Sequence, residues 1–344
     1  MVSERGLQVL RAIVQDYVET REPVGSKTIV ERHAFGVSAA TIRNDMAQLE
    51  DEELIAAPHT SSGRVPTDKG YRVFVDHLSQ LRPLSTAQRT AISTFLEGAT
   101  DLDDVLARTV RALTTLTGQV AIVQYPSFAQ AHVSHVELVA LEGGRMLVIL
   151  VTDTGRVSQR MTQLRTGFEA DDLTRLRDRV AALVTGRSVR QGAQAVAGEF
   201  VALDVERHED LLASAVLRVV AEELEEFRQD KLVMAGTANL ARREQDFRSS
   251  IYPLLEAIEE QVTLLRLMSE MVADAEGLSV SIGRENEAFG LAEASVLAGD
   301  YDPATHARVG VLGPTRMDYA TNLAAVRTVA HYVGRLLEDD ERSR

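Results

Sequence analysis

Residues 37–76 read VSAATIRNDMAQLEDEELIAAPHTSSGRVPTDKGYRVFVD, and this segment holds the clearest fold signal in the chain. Ser38 is a favourable N-cap, and Ile42, Met46 and Leu49 then recur at helical spacing. This pattern predicts a helix that buries one side and presents the other to solvent.

The outward side of this helix has an unusual composition. It carries Ala40, Arg43, Asn44 and Ala47, flanked by Thr41 and Gln48. Arginine and asparagine can make bidentate hydrogen bonds to guanine and adenine edges in the major groove, and alanines keep such a face flat. An ordinary amphipathic helix with a solvated face has similar spacing. The helix alone leaves both interpretations open.

The residues upstream predict two further helices. Apolar residues at helical spacing indicate a first helix that ends near Thr20; they are Leu7, Leu10, Ile13, Val14, Tyr17 and Val18. Proline and glycine within residues 22–25 interrupt the pattern. Ser26 is then expected to cap a short helix from Lys27 to about His33. Two helices separated by a turn at Phe35–Val37 form a helix-turn-helix pattern.

The residues downstream predict a β-hairpin. Leu54–Ala57 is a short apolar strand, and His59–Val65 reads as a tight turn and return strand. Thr67 is expected to cap a helix whose inward residues are Tyr71, Phe74, Val75 and Leu78. A helix-turn-helix followed by a hairpin is the order of a winged helix, and its small, hydroxylated tip suits close approach to phosphates. The N-terminal region therefore predicts a DNA-binding domain.

Composition and net charge limit the classes of function that the chain can have. The chain has 344 residues, no cysteine, 45% apolar residues and a formal net charge of −14. These values predict two or three soluble domains in a reducing cytoplasm, without disulfides or thiolate metal sites. The first 80 residues hold nine Lys and Arg against twelve Asp and Glu, a net −3. Affinity for DNA of arbitrary sequence should therefore be poor, and binding should depend on a focused site.

The remaining residues indicate an α+β body. Two helices broken near Gly98 are expected over 84–117, followed by strands at 120–123, 133–141, 145–152 and 156–164, and by more strands at 278–282 and 309–312 before a final helix over 319–337. Tight turns between the first four strands predict one antiparallel sheet. Heptad-like spacing appears at Ile251, Leu255, Ile258, Val262, Leu265 and Val272. It fits a core helix or a dimerising one.

Several motifs resemble the HrcA family of heat-inducible transcription repressors. They include residues 22–26, 38–44, 58–67, 70–72, 236–240, 282–287 and 310–319, so the resemblance covers essentially the whole chain. Glu53 departs from the family pattern, which usually has glycine there. The resemblance implies a winged helix, a GAF-like domain and an inserted dimerising domain. It also implies a CIRCE-type inverted-repeat operator, class I heat-shock genes as targets, release on heat stress, and the GroE chaperonin as modulator.

The predicted organisation is an α+β multidomain homodimer. Its domains are a winged-helix DNA-binding domain (1–80), a helical linker (81–118), a GAF-like antiparallel-sheet domain (119–168 and 277–344) and an inserted, mainly helical dimerising domain (169–276). The predicted DNA-binding residues are Ser26, Lys27, Ser38, Thr41, Arg43, Asn44, His59, Thr60, Ser61, Ser62, Gly63, Arg64 and Tyr71. The predicted dimerisation residues are Ile251, Leu255, Ile258, Val262 and Leu265.

Other classes of function have weaker support. His132 and His135 lack a surrounding set of metal ligands, and no serine lies in a nucleophile-elbow pattern. We therefore expect no catalytic site, metal, cofactor or membrane segment. The alternative is a DNA-binding regulator whose GAF-like domain senses a small molecule, although a fold does not establish a function.

Overall fold

The computed structural model describes residues 2–59, 62–78, 83–126, 131–153, 155–163, 170–203, 208–228, 231–247, 250–302 and 307–343. The chain divides into two compact units. The first comprises Met1–Tyr125 and Lys231–Asp340, and the second comprises Pro126–Asp230 together with Glu341–Arg344. The second unit is thus largely an insertion into the first.

The N-terminal elements follow the predicted order. They are α1 (Glu4–Thr20), α2 (Ser26–Arg32), α3 (Ala39–Asp51), β1 (Ile55–Ala56), β2 (Val65–Pro66) and α4 (Asp68–Asp76). Ser38 and Thr67 cap α3 and α4 as predicted, because their hydroxyls accept from the amides of Thr41 and Gly70. The cap predicted at Ser26 is wrong by one residue. Gly25 is still extended (φ −97°, ψ 154°), so Ser26 is the first helical residue.

Two helices and a strand connect the N-terminal elements to the insertion. They are α5 (Thr86–Glu97), α6 (Leu102–Thr117) and β3 (Val120–Gln124). Gly98 occupies the C-cap of α5, which confirms the predicted break in this helical stretch. The side chain of Asp101 begins α6 by accepting from the amide of Asp104.

The second unit combines a three-stranded sheet with three helices. Its elements are β4 (Val133–Leu141), β5 (Arg145–Thr152), β6 (Val157–Gln163), α7 (Ala170–Val184), α8 (Val189–Ala202) and α9 (His208–Arg228). The strands pair antiparallel in the order β4-β5-β6. One face of the sheet is buried, and its β5 residues are Met146, Val148, Leu150 and Thr152.

The chain then returns to the first unit. Its remaining elements are β7 (Leu232–Ala235), α10 (Thr237–Arg242), α11 (Tyr252–Glu260), α12 (Val262–Glu270), β8 (Leu278–Ile282), β9 (Ala294–Asp302), β10 (Ala307–Pro314) and α13 (Tyr319–Ser343). Five strands form one antiparallel sheet in the order β7-β3-β10-β9-β8. The sequence patterns did not predict β7 or β9.

The five-stranded sheet separates two apolar cores. Alternating residues point to opposite faces of a strand, so Ala121 and Val123 join the core that contains the N-terminal helices, α6 and α13. Val120 and Ile122 join the second core, which α11 and α12 cover. The N-terminal elements therefore share a continuous core with one face of the sheet.

Polar contacts also hold the N-terminal elements within the first unit. Asp246 has only 2% of its side chain exposed and pairs with both Arg316 and Arg21. Arg316 also donates to the carbonyl oxygen of Val18 near the end of α1, over 2.8 Å. Burial lowers the pKa of nearby Arg243, with its cationic neighbours Arg316 and Arg21 acting in the same direction. A buried carboxylate thus offsets a cluster of arginines.

Two features of the predicted body need correction. β3 pairs with β10 and β7 instead of β4, so the first four predicted strands do not form one sheet. The insertion spans 126–230 instead of 169–276, because β4, β5 and β6 form their own sheet while α10, α11 and α12 belong to the first unit. Within the described residues, no helix is both long enough and apolar enough to cross a membrane.

Candidate nucleic-acid interface

The α3 helix presents the polar face that its sequence predicts. Ile42, Met46 and Leu49 are buried, and the opposite residues are exposed: Ala40, Arg43, Asn44, Ala47 and Gln48. We call the four residues Ala40, Arg43, Asn44 and Ala47 the α3 face. Thr41 is half-buried, and its hydroxyl lies 3.0 Å from the hydroxyl of Ser38.

Arg43 and Asn44 are available for contacts outside the chain. No described residue forms an ion pair with Arg43 or a side-chain hydrogen bond with Asn44, and both side chains are exposed. A guanidinium and an amide on adjacent residues of a flat helix face can each present paired hydrogen-bonding groups to a base edge.

An ion pair between a half-exposed arginine and a buried aspartate restrains α3. Asp45 is 4% exposed, and it accepts two hydrogen bonds from Arg5 of α1, at 2.7 Å from Nε and 2.9 Å from Nη2. This bond raises the pKa of Arg5. Asp45 follows Asn44 directly, so the pair restrains the helix turn that carries the α3 face. Residue spacing gave no signal of it, because the partners lie 40 positions apart.

The hairpin is held against the segment that precedes α2. β1 and β2 pair in antiparallel register, with Ile55 opposite Pro66. Val24 and Arg64 exchange backbone hydrogen bonds of 2.9 Å in both directions. A Cβ on Gly63 would lie 2.5 Å from the carbonyl oxygen of Pro23, so only glycine allows this approach.

The predicted hairpin residues take different positions. His59 is exposed, Ser62 and Gly63 are half-buried, and Thr60 and Ser61 lie outside the described residues. The Ser62 hydroxyl donates to the carbonyl oxygen of His59 over 2.7 Å, and the His59 amide donates back to the Ser62 oxygen over 3.0 Å. These bonds fix the described base of the turn.

Arg64 is already engaged within the protein. Its Nη2 and Nε lie 2.8 Å and 3.0 Å from Oε2 of Glu50, and its Nη1 donates to the carbonyl oxygen of Ser62. The DNA contact that the sequence predicts for Arg64 therefore requires this ion pair to break. The observed geometry instead ties the hairpin to α3.

Tyr71 does not face the candidate surface. It is 2% exposed and its ring lies 5.5 Å from that of Tyr319 on α13, centroid to centroid. The prediction that Tyr71 contacts DNA is therefore wrong, because its position on α4 points into the core. Its neighbour Arg72 bonds Glu285 through Nε over 2.8 Å, and this bond raises the pKa of Arg72. The bond between Arg72 and Glu285 therefore attaches α4 to the segment that follows β8.

The start of α2 adds one available cation. Lys27 is exposed and forms no ion pair with a described residue, whereas Ser26 is half-buried.

The C-terminal end of α3 is acidic, with Glu52 and Glu53 exposed there. Lys69 donates to the carbonyl oxygen of Glu52 over 2.8 Å and so serves that helix end. Positive charge without a partner is therefore confined to Lys27 and Arg43 among the predicted DNA-binding residues that the structure describes.

The predicted dimerisation residues lie on two short helices instead of one. Gln261, at φ 57°, separates α11 from α12 and breaks the heptad-like repeat. Ile251 and Ile258 are each 9% exposed in the second core, and Leu255 and Leu265 pack against it. Val262 alone among the five is exposed. The core-helix interpretation therefore explains this pattern, because the apolar faces cover the five-stranded sheet.

Metal-binding chemistry has no support among the described residues, since none of them form a cluster of three or more potential ligands. His132 and His135 each lie near a single carboxylate. The Nδ1 of His132 is 3.2 Å from Asp153, and the Nε2 of His135 is 3.4 Å from Glu137.

Comparisons with known proteins extend over the whole chain. The family model for the HrcA protein C-terminal domain matches residues 103–322. The heat-inducible transcription repressor HrcA of Clavibacter michiganensis subsp. michiganensis (strain NCPPB 382) is 61% identical over 341 residues, covering 98% of this chain and 100% of that protein. The protein of the same name from Leifsonia xyli subsp. xyli (strain CTCB07) is 57% identical with the same coverage.

The fold also matches a solved structure. A crystal structure of a hypothetical protein at 2.2 Å resolution aligns with a TM-score of 0.66 and 23% identity, covering 98% of this chain and 99% of that one. This likeness concerns the fold, and it extends to both units because the alignment is nearly complete.

Proposed function

Because the chain belongs to the HrcA family of heat-inducible transcription repressors, we propose that it represses class I heat-shock operons as a dimer on an inverted-repeat operator of CIRCE type. It is a negative regulator of transcription and not an enzyme. The proposed DNA-binding module is a winged helix-turn-helix formed by α1 to α4 with β1 and β2, and the proposed GAF-like domain is built on the five-stranded sheet.

The observation that carries the proposal is the α3 face. Arg43 and Asn44 project from a flat, exposed helix surface without partners among the described residues. A helix-turn-helix inserts its second helix into the major groove and reads bases near the N-terminal end of that helix. Arg43 and Asn44 lie in the second turn of α3, so they suit this role. Lys27, at the start of α2, suits a backbone phosphate.

Arg43→Ala and Asn44→Ala should each weaken operator binding by about 1–3 kcal/mol and relax the preference at one base position. Lys27→Ala should weaken binding to all sequences alike and flatten the salt dependence by about one unit. Arg64→Ala should leave the base preference unchanged, because Arg64 is paired with Glu50 and does not belong to the α3 face. Gel shifts on an operator library at several salt concentrations distinguish these effects. A change in base preference in Arg64→Ala but not in Arg43→Ala would contradict the groove assignment.

The dimer is proposed to form through the insertion, as the family implies. The heptad-like residues lie in the first unit, so the proposed dimer surface does not include them. The outer face of the β4-β5-β6 sheet carries apolar side chains interleaved with His135, Glu137 and Gln159. The apolar residues are Val139, Leu147, Ile149, Val151, Val157 and Met161. Val157 and Met161 are 58% and 55% exposed. Large exposed apolar side chains with polar neighbours favour a protein partner, and a second copy of the chain would give the two-fold symmetry that an inverted repeat requires.

Val157→Asp combined with Met161→Asp should yield a folded monomer with much weaker operator binding. Val201→Asp is the control, since Val201 is 89% exposed and belongs to α8 instead of the sheet. Sedimentation analysis gives the mass, and gel shifts give the affinity. An unchanged dimer in the double variant would refute the proposed surface.

Release on heat stress is proposed to act through GroE. Unfolded proteins would occupy the chaperonin, and the population of binding-competent repressor would then fall. Purified GroE should raise the fraction of operator bound at a fixed repressor concentration, and an added unfolded client should reverse this gain. Operator binding that is insensitive to both additions would exclude this route.

A further inference from the structure

A cavity in the first unit lies outside the proposed DNA-binding and dimer surfaces. It has a volume of about 560 Å³ and is bounded by α5, α13 and the adjoining ends of β8 and β9. Gly277, Leu278, Gly299 and Ala330 are among its lining residues and supply backbone and apolar surface. Small-molecule sites commonly have volumes of about 300–1,000 Å³. The cavity is therefore large enough for a metabolite.

Basic side chains converge on this cavity from two helices. Arg327, His331 and Arg335 follow one another at four-residue intervals on α13, so they lie on one side of that helix. Arg89 reaches the same cavity from α5. Two separate helices thus contribute basic residues to one cavity. The solvated face of a single helix would not explain this convergence.

The acidic residues of the cavity are already paired. Glu276 bonds Arg327 over 2.8 Å, and Asp300 bonds Arg308, which is 7% exposed, over 2.8 Å. Arg308 also donates to the carbonyl oxygen of Met271, so its position is fixed. The two charges cancel within each of these ion pairs. Arg89 and Arg335 therefore leave two positive charges in excess.

Arg89 and Arg335 are the available cations. Neither forms an ion pair with a described residue; Arg89 has only a 3.5 Å contact with Thr86, a residue of its own helix. The chain as a whole carries a net charge of −14. A concave site with excess positive charge on such a protein attracts small anions selectively.

We propose that this cavity binds a small anion with at least two negative charges, carried by phosphate or carboxylate groups. Arg89 and Arg335 bind the charged groups, because guanidinium matches either anion with two parallel hydrogen bonds. Arg327, which Glu276 holds in place, lines the cavity on the α13 side. Since Arg89 belongs to α5, the bound anion joins the helix that follows the DNA-binding module to the last helix of the body.

Thermal unfolding and calorimetry on the full chain test this inference, with pyrophosphate and citrate as probes at constant ionic strength. Pyrophosphate represents the phosphate source and citrate the carboxylate source. At least one probe should bind saturably and raise the melting temperature. The variant Arg89→Gln with Arg335→Gln should bind it about ten-fold more weakly or worse, since charge-assisted bonds are lost. Both side chains are exposed, so the variant should fold normally.

The matched control is Arg190→Gln with Arg218→Gln, which removes two exposed arginines from the second unit. It should bind the probe like the original chain. Failure of both probes to bind saturably, or equal binding by the cavity variant, would overturn the inference. The inference does not depend on the proposed operator, because ligand binding is measured without DNA.

Discussion

Glu53 occupies a backbone conformation that suits glycine. It lies in the turn between α3 and β1 with φ 60°, in the left-handed region. That conformation costs a residue with a Cβ about 1–2 kcal/mol. The side chain offers little in return, because it is 84% exposed and lies 3.9 Å from Lys69. The turn itself is held by the Thr67 hydroxyl, which donates to the Glu53 carbonyl oxygen over 2.6 Å.

Glu53→Gly should therefore raise the free energy of unfolding by about 0.5–1 kcal/mol, after allowing for the greater freedom of glycine in the unfolded chain. Urea unfolding monitored by circular dichroism measures the change. Glu53→Ala is the matched control, because alanine removes the same side chain but keeps the Cβ, and it should therefore gain no stability. Equal stability of the two variants would show that the backbone at Glu53 is not strained.

The sequence predicted the α3 face because its determinants are local. A serine cap and three apolar residues at helical spacing fix which side of α3 is exposed. The roles of Arg64 and Tyr71 could not be read in the same way. Arg64 is paired with Glu50 across the hairpin, and Tyr71 packs on Tyr319, which lies 248 residues further along the chain. Periodic residue spacing cannot reveal contacts between residues that lie 14 or more positions apart.

The sequence predicts the positions of most strands better than it predicts their partners in the sheets. β3, β4, β5, β6 and β8 lie within about two residues of the predicted positions. The assignment of β3 to its sheet failed because Val123 pairs with Val309 and Val233, both more than a hundred residues away. The sequence does not predict β9, because ASVLAGDYD ends in glycine and acidic residues that are uncommon in strands.

α11 provides a direct test of core packing against dimer contact. Ile258 is 9% exposed in the second core, and Val262 is 70% exposed at the start of α12. Ile258→Asp should lower the free energy of unfolding by more than about 3 kcal/mol, because an unpaired charge would enter an apolar core. Val262→Asp should change it by less than about 0.5 kcal/mol.

Denaturant unfolding measures both stabilities, and sedimentation measures both masses. A stable but monomeric Ile258→Asp protein would restore the dimer interpretation of the heptad-like spacing. Loss of stability in Ile258→Asp, with an unchanged mass for Val262→Asp, is the expected result.

The insertion leaves and re-enters the first unit at one point. β3 and β7 are neighbours in the five-stranded sheet, with Gln124 opposite Leu232. The amide of Tyr125 donates to the carbonyl oxygen of Lys231 over 2.9 Å. The two ends of the insertion are therefore as close as the ends of a hairpin loop, which commonly has about 2–5 residues.

Replacement of residues 126–230 by a Gly-Ser linker of about four residues should therefore leave the first unit folded. Its sheet and both apolar cores consist of residues outside the insertion. The shortened chain should be a monomer and should bind the operator about 100-fold more weakly, because the two half-sites are no longer engaged together. The full chain with Val157→Asp and Met161→Asp is the matched comparison and should show a similar affinity. A shortened chain that still sediments as a dimer would place the dimer contact in the first unit, whereas one that fails to fold would show that the insertion supports the sheet from which it emerges.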